Sequence, residues 1–136
     1  MASEQVICDT DVMIDFWEAK NQRHEDTRKI IEETIGIDNV ILTAITKIEL
    51  LAGAINKADS IKISRKLSRF NIELINPEIT VKAFSLIETY CLSHGLALPD
   101  SFVAATAIIT DLPLFTYNIK DYKFIKGLLL FQPKIA

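Results

Sequence analysis

Residues 6–15 read VICDTDVMID and indicate the fold class of this 136-residue chain. A short apolar run stops at Asp9, which is typical of a strand buried in a parallel sheet, and helical spacing follows over residues 11–20. Further strands of this kind are predicted at residues 40–42, 72–75, 114–116 and 128–130. Helices are predicted at residues 24–35, 45–57, 59–71 and 78–93, and from Pro99 onward. We therefore predict an α/β fold: one three-layer α/β/α domain over residues 1–136 with a mostly parallel five-stranded sheet.

Composition excludes several classes of protein. Hydrophobic residues make up 49% and charged residues 24% of the chain, which excludes a disordered protein. The net charge of −3 excludes a generally basic nucleic-acid coat protein. No apolar run approaches the length of a membrane helix, and the N-terminus lacks the pattern of a signal peptide. We interpret Cys8 and Cys91 as buried small hydrophobic residues in a reducing compartment, and expect a cytoplasmic protein with no membrane partner.

Acidic residues are predicted to meet at one edge of the sheet. Asp9 ends the first strand, Glu49 lies one turn into the helix after the second, and Asp100 opens the helix before the fourth. Asp121 follows the fourth strand. Two carboxylates about 4 Å apart repel by roughly 4 kcal/mol at an effective dielectric constant of 20, so such a group requires a cation. Oxygen ligands alone favour Mg²⁺ or Mn²⁺.

Each of these acids also has a simpler interpretation. Asp9 could serve only as a helix cap, and Asp100 only as a first-turn acid favoured by the helix dipole. Glu49 could be an exposed helical residue and Asp121 a solvated loop residue. We interpret Asp11 and Asp15, one helical turn apart, as a solvated helix face.

Four segments together resemble the PIN-domain family, in particular the VapC-type toxins of prokaryotic toxin–antitoxin pairs. They are residues 6–15, 43–53, 98–107 and 115–122, and their order and spacing extend the resemblance over nearly the whole chain. The resemblance implies a single PIN-like domain and a metal-dependent endoribonuclease that hydrolyses RNA phosphodiester bonds. It further implies the toxin of a type II toxin–antitoxin system.

The resemblance also implies roles for individual residues. Asp9, Glu49 and Asp100 match the first three members of an acidic quartet around Mg²⁺ or Mn²⁺. Asn118 stands where many members of the family carry an acid, and Asp121 is expected to take its place. Four polar residues are expected to hold carboxylates or waters around the ion: Thr10, Thr46, Thr116 and Asn118. Thr10 and Thr46 could equally be helix caps.

Partners implied by the resemblance are RNA, a small antitoxin protein and a second copy of the chain. A basic stripe at spacing i, i+3, i+4, i+7 is expected to contact RNA phosphates or to form a solvated helix face: Lys62, Arg65, Lys66 and Arg69. Ile14, Phe16 and Trp17 are candidates for an antitoxin-binding surface, or for core packing.

Other functions remain open at this stage. A PIN-type nuclease that processes RNA without being a toxin would carry the same residues. A catalytically weak module that binds only RNA or a partner would tolerate Asn118. Asp9-Thr10-Asp11 after a buried strand also resembles the opening of haloacid-dehalogenase phosphatases, in which the first Asp is a nucleophile, although Met13 departs from that motif.

Overall fold

A parallel sheet of four strands forms the centre of the computed structural model, which describes residues 4–133. The strands are β1 (Val6–Cys8), β2 (Val40–Thr43), β3 (Asn71–Glu73) and β4 (Leu114–Phe115). Their order is β3-β2-β1-β4, and every neighbouring pair is parallel. The chain therefore leaves β1 toward β2 on one side and reaches β4 on the other. In open α/β sheets such a switch point is where ligands bind, beyond the carboxyl ends of the strands.

Six α-helices connect and cover the strands. They are α1 (Thr10–Trp17), α2 (His24–Lys29), α3 (Ala44–Ala52), α4 (Lys57–Leu67), α5 (Pro77–His94) and α6 (Leu98–Thr110). A π-helical stretch, Ile30–Ile35, continues α2 up to Gly36. Helix α3 ends five residues before the predicted end, because the Asn56 side chain accepts a hydrogen bond from the Asp59 backbone N–H and starts α4 there.

Helices cover both faces of the sheet, because successive residues of a strand point to opposite faces. Ile7 and Ile41 pack against α5 and α6. Cys8 and Leu42 point the other way, into a second core formed with α1, the π-helical stretch and α4. The predicted three-layer α/β/α arrangement is thus confirmed.

The fifth strand predicted at residues 128–130 is reduced to one parallel bridge between Leu114 and Leu130. The Leu114 N–H donates to the Leu129 carbonyl and the Phe131 N–H to the Leu114 carbonyl, both at 2.8 Å. Strand β4 has only two residues, so it offers no further partners along which a ladder could extend. The five-stranded prediction was wrong on this point.

The cysteine interpretation was correct for one residue only. Cys8 is fully buried in the centre of β1, whereas Cys91 is exposed. Helix α5 buries a single stripe at Ile79, Ala83 and Leu86, and position 91 lies outside it. Among residues 4–133 no helix is both long and apolar enough to cross a membrane.

Candidate active site

Asp9 occupies the switch point between β1 and β4. It follows β1 directly and is the N-cap residue of α1, where its Oδ1 accepts a hydrogen bond of 2.9 Å from the Thr10 N–H. Its Oδ2 accepts a second bond of 2.9 Å from the hydroxyl of Thr116, which follows β4. The residue is only 7% exposed. Asp9 therefore does cap a helix, but its second oxygen is committed to the neighbouring strand.

Burial gives Asp9 unusual electrostatics. It raises the pKa of the Asp9 carboxyl to about 6, with further increases from the charges of Asp11 and Glu49. The hydrogen bonds from Thr10 and Thr116 lower this pKa without offsetting the rise. Asp9 is thus a carboxylate whose charge is poorly compensated by the protein itself.

Glu49 is held at the same edge by a chain of threonine hydroxyls. Thr43 caps α3 by accepting a bond from the Thr46 N–H, and Thr46 is fully buried. The Thr46 hydroxyl lies 2.9 Å from that of Thr10, which donates to Oε1 of Glu49 at 2.7 Å. Neither Thr10 nor Thr46 is an N-cap, so that interpretation was wrong. The Glu49 side chain is exposed but tethered to the start of α1.

Asp100 reaches the site from the first turn of α6. It is half-buried, and its Oδ1 accepts a hydrogen bond of 3.0 Å from the Tyr122 hydroxyl. Burial raises the pKa of Asp100, and the charges of Asp9, Asp121 and Glu49 raise it further, whereas the Tyr122 bond lowers it. The charge of Glu49 thus acts on both Asp9 and Asp100, and the charge of Asp9 acts on Asp100.

Asp121 and Asn118 lie at the rim. Asp121 belongs to a 3₁₀ turn, Ile119–Asp121, and is exposed, although its charge raises the pKa of Asp100. Asn118 is also exposed, and its backbone N–H donates to the Thr116 hydroxyl oxygen at 3.1 Å. Asn118 therefore supports Asp9 indirectly, through the main chain.

These carboxylates do not form a closed cage. Within residues 4–133, no three His, Cys, Asp or Glu side chains are grouped closely enough to hold an ion by themselves. Mg²⁺ suits such a site, because it usually binds one or two carboxylates and keeps water and phosphate oxygens as its remaining ligands. The raised pKa values of Asp9 and Asp100 reveal negative charge that a divalent cation would neutralise.

Two side chains of this region were missed in the sequence. Nothing in the sequence indicated a role for Tyr122, because a tyrosine beside a loop acid can direct its hydroxyl to solvent as easily as to a functional site. Asp11 was misjudged as solvated: its Oδ2 accepts the Tyr117 N–H at 3.0 Å, and its charge raises the pKa of Asp9. Asp15 likewise accepts a bond from the Asn21 side chain, so the solvated-face interpretation was wrong for both. The position of Asp11, two residues after Asp9 in the first turn of a helix, was the available clue.

The basic stripe is exposed but does not lie on one helix: α4 ends at Leu67, so Arg69 lies in the turn beyond it and its predicted helical position was wrong. Arg69 forms an ion pair of 3.0 Å with Asp38, and the Lys66 ammonium lies 5.6 Å from the ring centre of Trp17. Lys62 and Arg65 line a shallow pocket at the start of α4. Two members of the stripe thus have intramolecular partners.

A groove between α1, α3 and α4 runs up to Glu49. Its volume is about 330 Å³, and its apolar lining includes Ile14, Trp17, Leu50 and Ile63. Charged residues also line it, among them Glu18, Asp59 and Lys66. Ile14 is 45% exposed. Phe16 and Trp17 are half-buried and pack against the core on the α1 face. Of the three candidate surface residues, Ile14 is the most accessible.

Comparison with known proteins identifies the fold family. The model of the PIN domain matches residues 6–125. This chain belongs to the PIN domain family. This match argues against the haloacid-dehalogenase alternative. A nucleophilic role of Asp9 is also disfavoured, because the residue is buried and both of its carboxylate oxygens accept hydrogen bonds.

Several PIN domain proteins resemble this one over almost its full length. Ribonuclease VapC1 of Methanocaldococcus jannaschii is 27% identical over 124 residues, which cover 90% of this chain and 82% of that protein. A toxin–antitoxin complex from Klebsiella pneumoniae contains a chain that is 26% identical, with a TM-score of 0.72 over 92% of this chain and 96% of that one. VapC20 of Mycobacterium tuberculosis, a toxin that cleaves the sarcin-ricin loop, shares the fold with a TM-score of 0.70 over 95% and 100% of the two chains, at 13% identity.

Proposed function

We propose that this PIN domain protein is a metal-dependent endoribonuclease and the toxin of a type II toxin–antitoxin pair. The observation that carries the proposal is that Asp9 after β1, Glu49 of α3 and Asp100 of α6 lie near enough for the charge of Glu49 to raise the pKa of both aspartates, and for the charge of Asp9 to raise the pKa of Asp100. The similarity to Ribonuclease VapC1 supports ribonuclease activity. The similarity to a chain of the Klebsiella toxin–antitoxin complex supports the role of a toxin. The proposed site of action is the cytoplasm.

The cofactor of the proposed reaction is Mg²⁺ or Mn²⁺. Asp9 and Asp100 would hold the ion, with Glu49 and the more exposed Asp121 completing its surroundings. A divalent ion so bound supplies a Lewis acid, which neutralises charge on a phosphodiester and lowers the pKa of a water ligand. Thr116 and Thr10 keep the Asp9 and Glu49 carboxylates in place by hydrogen bonds.

Substitution of Asp100 tests the proposal. We expect Asp100→Asn to lower RNA cleavage by purified protein more than about a hundredfold in the presence of Mn²⁺, and to weaken Mn²⁺ binding measured by calorimetry. Asp111→Asn is a matched control at the opposite end of α6, where the residue is exposed and adopts φ 58°, a conformation that asparagine tolerates. Unchanged cleavage by Asp100→Asn would disprove the assignment.

The antitoxin is proposed to dock in the groove between α1, α3 and α4. That groove is apolar along Ile14, Leu50 and Ile63 and ends at Glu49. An apolar helix or strand of a small protein fits such a surface, and its far end would reach the acidic residues. Binding there would block access of RNA to the site.

A second copy of the chain is proposed to cover the outer face of α5 and the start of α6. Large apolar side chains are exposed there, among them Phe84 at 59%, and a neighbouring apolar cavity of about 380 Å³ is lined by Ile87 and Phe102. Burial of such a patch is a common basis of dimerisation. Phe84→Glu is expected to yield monomers in analytical ultracentrifugation, whereas Leu74→Glu, also at an exposed position, is expected to leave the dimer intact.

A further inference from the structure

Tyr122 combines a buried ring with a hydroxyl that faces the acidic residues. The residue is 1% exposed, and its ring packs in the core between the sheet and helices α5 and α6. Its backbone is fixed as well, because its N–H donates to the Ile119 carbonyl and its carbonyl accepts from the Ile125 N–H, both at 3.0 Å. Packing and backbone together hold the hydroxyl at one place.

That place is beside the Asp100 carboxylate. The hydroxyl donates to Oδ1 of Asp100 at 3.0 Å. A tyrosine phenol ordinarily ionises only at about pH 10, so at neutral pH this hydroxyl keeps its proton. It is therefore a permanent hydrogen-bond donor.

A permanent donor on a rigid ring restricts the orientation of its acceptor. The Asp100 side chain is half-buried on the first turn of a helix, and rotation about its side-chain bonds would break the bond to Tyr122. Donors behind metal-ligating carboxylates commonly fix ligand orientation, and their loss lowers metal affinity by about 10–100-fold.

We propose that Tyr122 is a positioning residue, whose hydroxyl orients the Asp100 carboxylate for a divalent cation. The inference rests on the proposed metal-dependent function and deepens it. Tyr122 contacts neither RNA nor the reacting atoms in this role. It acts through Asp100 alone.

Tyr122→Phe removes the hydroxyl and retains the ring that fills the core. We expect Mn²⁺ affinity, measured by calorimetry, to fall about tenfold. The Mn²⁺ concentration required for half-maximal RNA cleavage should rise by the same factor, while the rate at saturating Mn²⁺ stays within about twofold. A purely structural role of the ring would leave metal affinity unchanged.

Tyr117→Phe is the matched control. Tyr117 follows the same strand, but its hydroxyl lies 2.6 Å from that of Thr27, away from Asp100. Loss of the Tyr117 hydroxyl is expected to leave Mn²⁺ affinity unaltered. Equal or tighter Mn²⁺ binding by Tyr122→Phe than by the unmodified protein overturns the inference.

The outcomes separate this inference from the proposed function. If the unmodified protein and Asp100→Asn bind Mn²⁺ equally, the metal site itself is wrong. If Asp100→Asn loses binding and Tyr122→Phe does not, only the role of Tyr122 is wrong.

A measurement on the unmodified protein covers the case in which Tyr122→Phe fails to fold. The ¹³Cζ resonance of Tyr122, assigned by elimination with Tyr117→Phe and Tyr90→Phe, should shift when Mg²⁺ is added. The resonance of Tyr117 should not shift. Absence of a Tyr122 shift at saturating Mg²⁺ contradicts the inference.

Discussion

Thr116 donates a hydrogen bond of 2.9 Å to Oδ2 of Asp9, although 107 positions separate the two residues in the sequence. The bond joins the carboxyl ends of β4 and β1. Strands β2 and β4 lie on opposite sides of β1, so this end of β1 is the switch point of the sheet. It also connects Asp9 to Asn118, whose backbone N–H donates to the same hydroxyl oxygen. The site therefore depends on the pairing of its first and last strands.

Removal of the Thr116 hydroxyl should weaken the metal site. Thr116→Val keeps the shape of the side chain but leaves Oδ2 of Asp9 buried without its donor. We expect Mn²⁺ affinity to fall about 10–100-fold and stability to fall by about 1–3 kcal/mol. Calorimetry and urea denaturation measure the two effects. Thr110→Val is the control, because it removes only hydrogen bonds to carbonyls within α6, and it should leave Mn²⁺ affinity unchanged. If both variants bind Mn²⁺ normally, the hydrogen bond from Thr116 to Asp9 is unimportant for the metal site.

Stability without metal should depend on the ionisation of Asp9. Its pKa is about 6 in the folded protein, above the 3.8 of an unperturbed aspartate, so the folded state binds the proton more tightly. The stability contributed by the protonated form is full below pH 3.8 and is lost as the pH rises through 6. The shift corresponds to about 3 kcal/mol at most.

Asp9→Asn isolates this contribution, because asparagine is also a good N-cap. In EDTA, the variant should gain stability relative to the unmodified protein as the pH rises from 4 to 7. Denaturation series at several pH values measure the difference, with Asp111→Asn as a charge-matched control. If the difference in stability between Asp9→Asn and the unmodified protein does not change with pH, Asp9 ionises normally. Added Mg²⁺ should stabilise only proteins that retain Asp9.

Glu49 should matter for chemistry and not for folding. Glu49→Gln preserves an oxygen that can accept the bond from Thr10 while it removes the charge. We expect an unchanged melting temperature, and a decrease of about a hundredfold in RNA cleavage. Glu33→Gln, at an exposed position of the π-helical stretch, serves as the control. Full activity of Glu49→Gln would remove Glu49 from the site.

The free part of the basic stripe should contribute to RNA affinity. Reversal of both charges by Lys62→Glu and Arg65→Glu should reduce the slope of log affinity against log salt by about 1.4 for single-stranded RNA, if each residue contacts one phosphate. Anisotropy titrations in an Asp100→Asn background measure binding without cleavage. Lys29→Glu, an exposed reversal on α2, should have no such effect. A slope that does not change identifies the stripe as a solvated face.

Ile14 should determine antitoxin affinity. Ile14→Glu places a further negative charge in the groove that ends at Glu49, and we expect the proposed antitoxin to lose its inhibition of cleavage. RNA cleavage itself should be retained. Leu74→Glu, equally charged and outside the groove, should be inhibited normally. Normal inhibition of Ile14→Glu would place the antitoxin elsewhere.

The sequence was sufficient for those parts of the fold that follow from hydrophobic pattern. Buried strands are recognisable in the sequence as short apolar runs. An acid that ends such a run, as Asp9 does, lies at the carboxyl edge of the sheet. Glu49 and Asp100 lie within helices α3 and α6, so their approach to Asp9 depends on how those helices pack.

The remaining features depend on tertiary contacts that a single sequence does not encode locally. The run at residues 128–130 is as apolar as a strand, but β4 is too short to pair with it. Cys91 lies in an apolar helix whose buried stripe is narrow. The hydrogen bond from Tyr122 to Asp100 depends on how the segment after the 3₁₀ turn Ile119–Asp121 packs against α6. Residue spacing alone does not predict that packing.

The order in which the acidic site is assembled has a consequence for synthesis. Asp9 leaves the ribosome early, whereas Thr116 and Tyr122, which hold Asp9 and Asp100 in place, emerge only near the end of translation. Under the proposed function, the nuclease would gain the contacts that position its acids only when translation is almost finished.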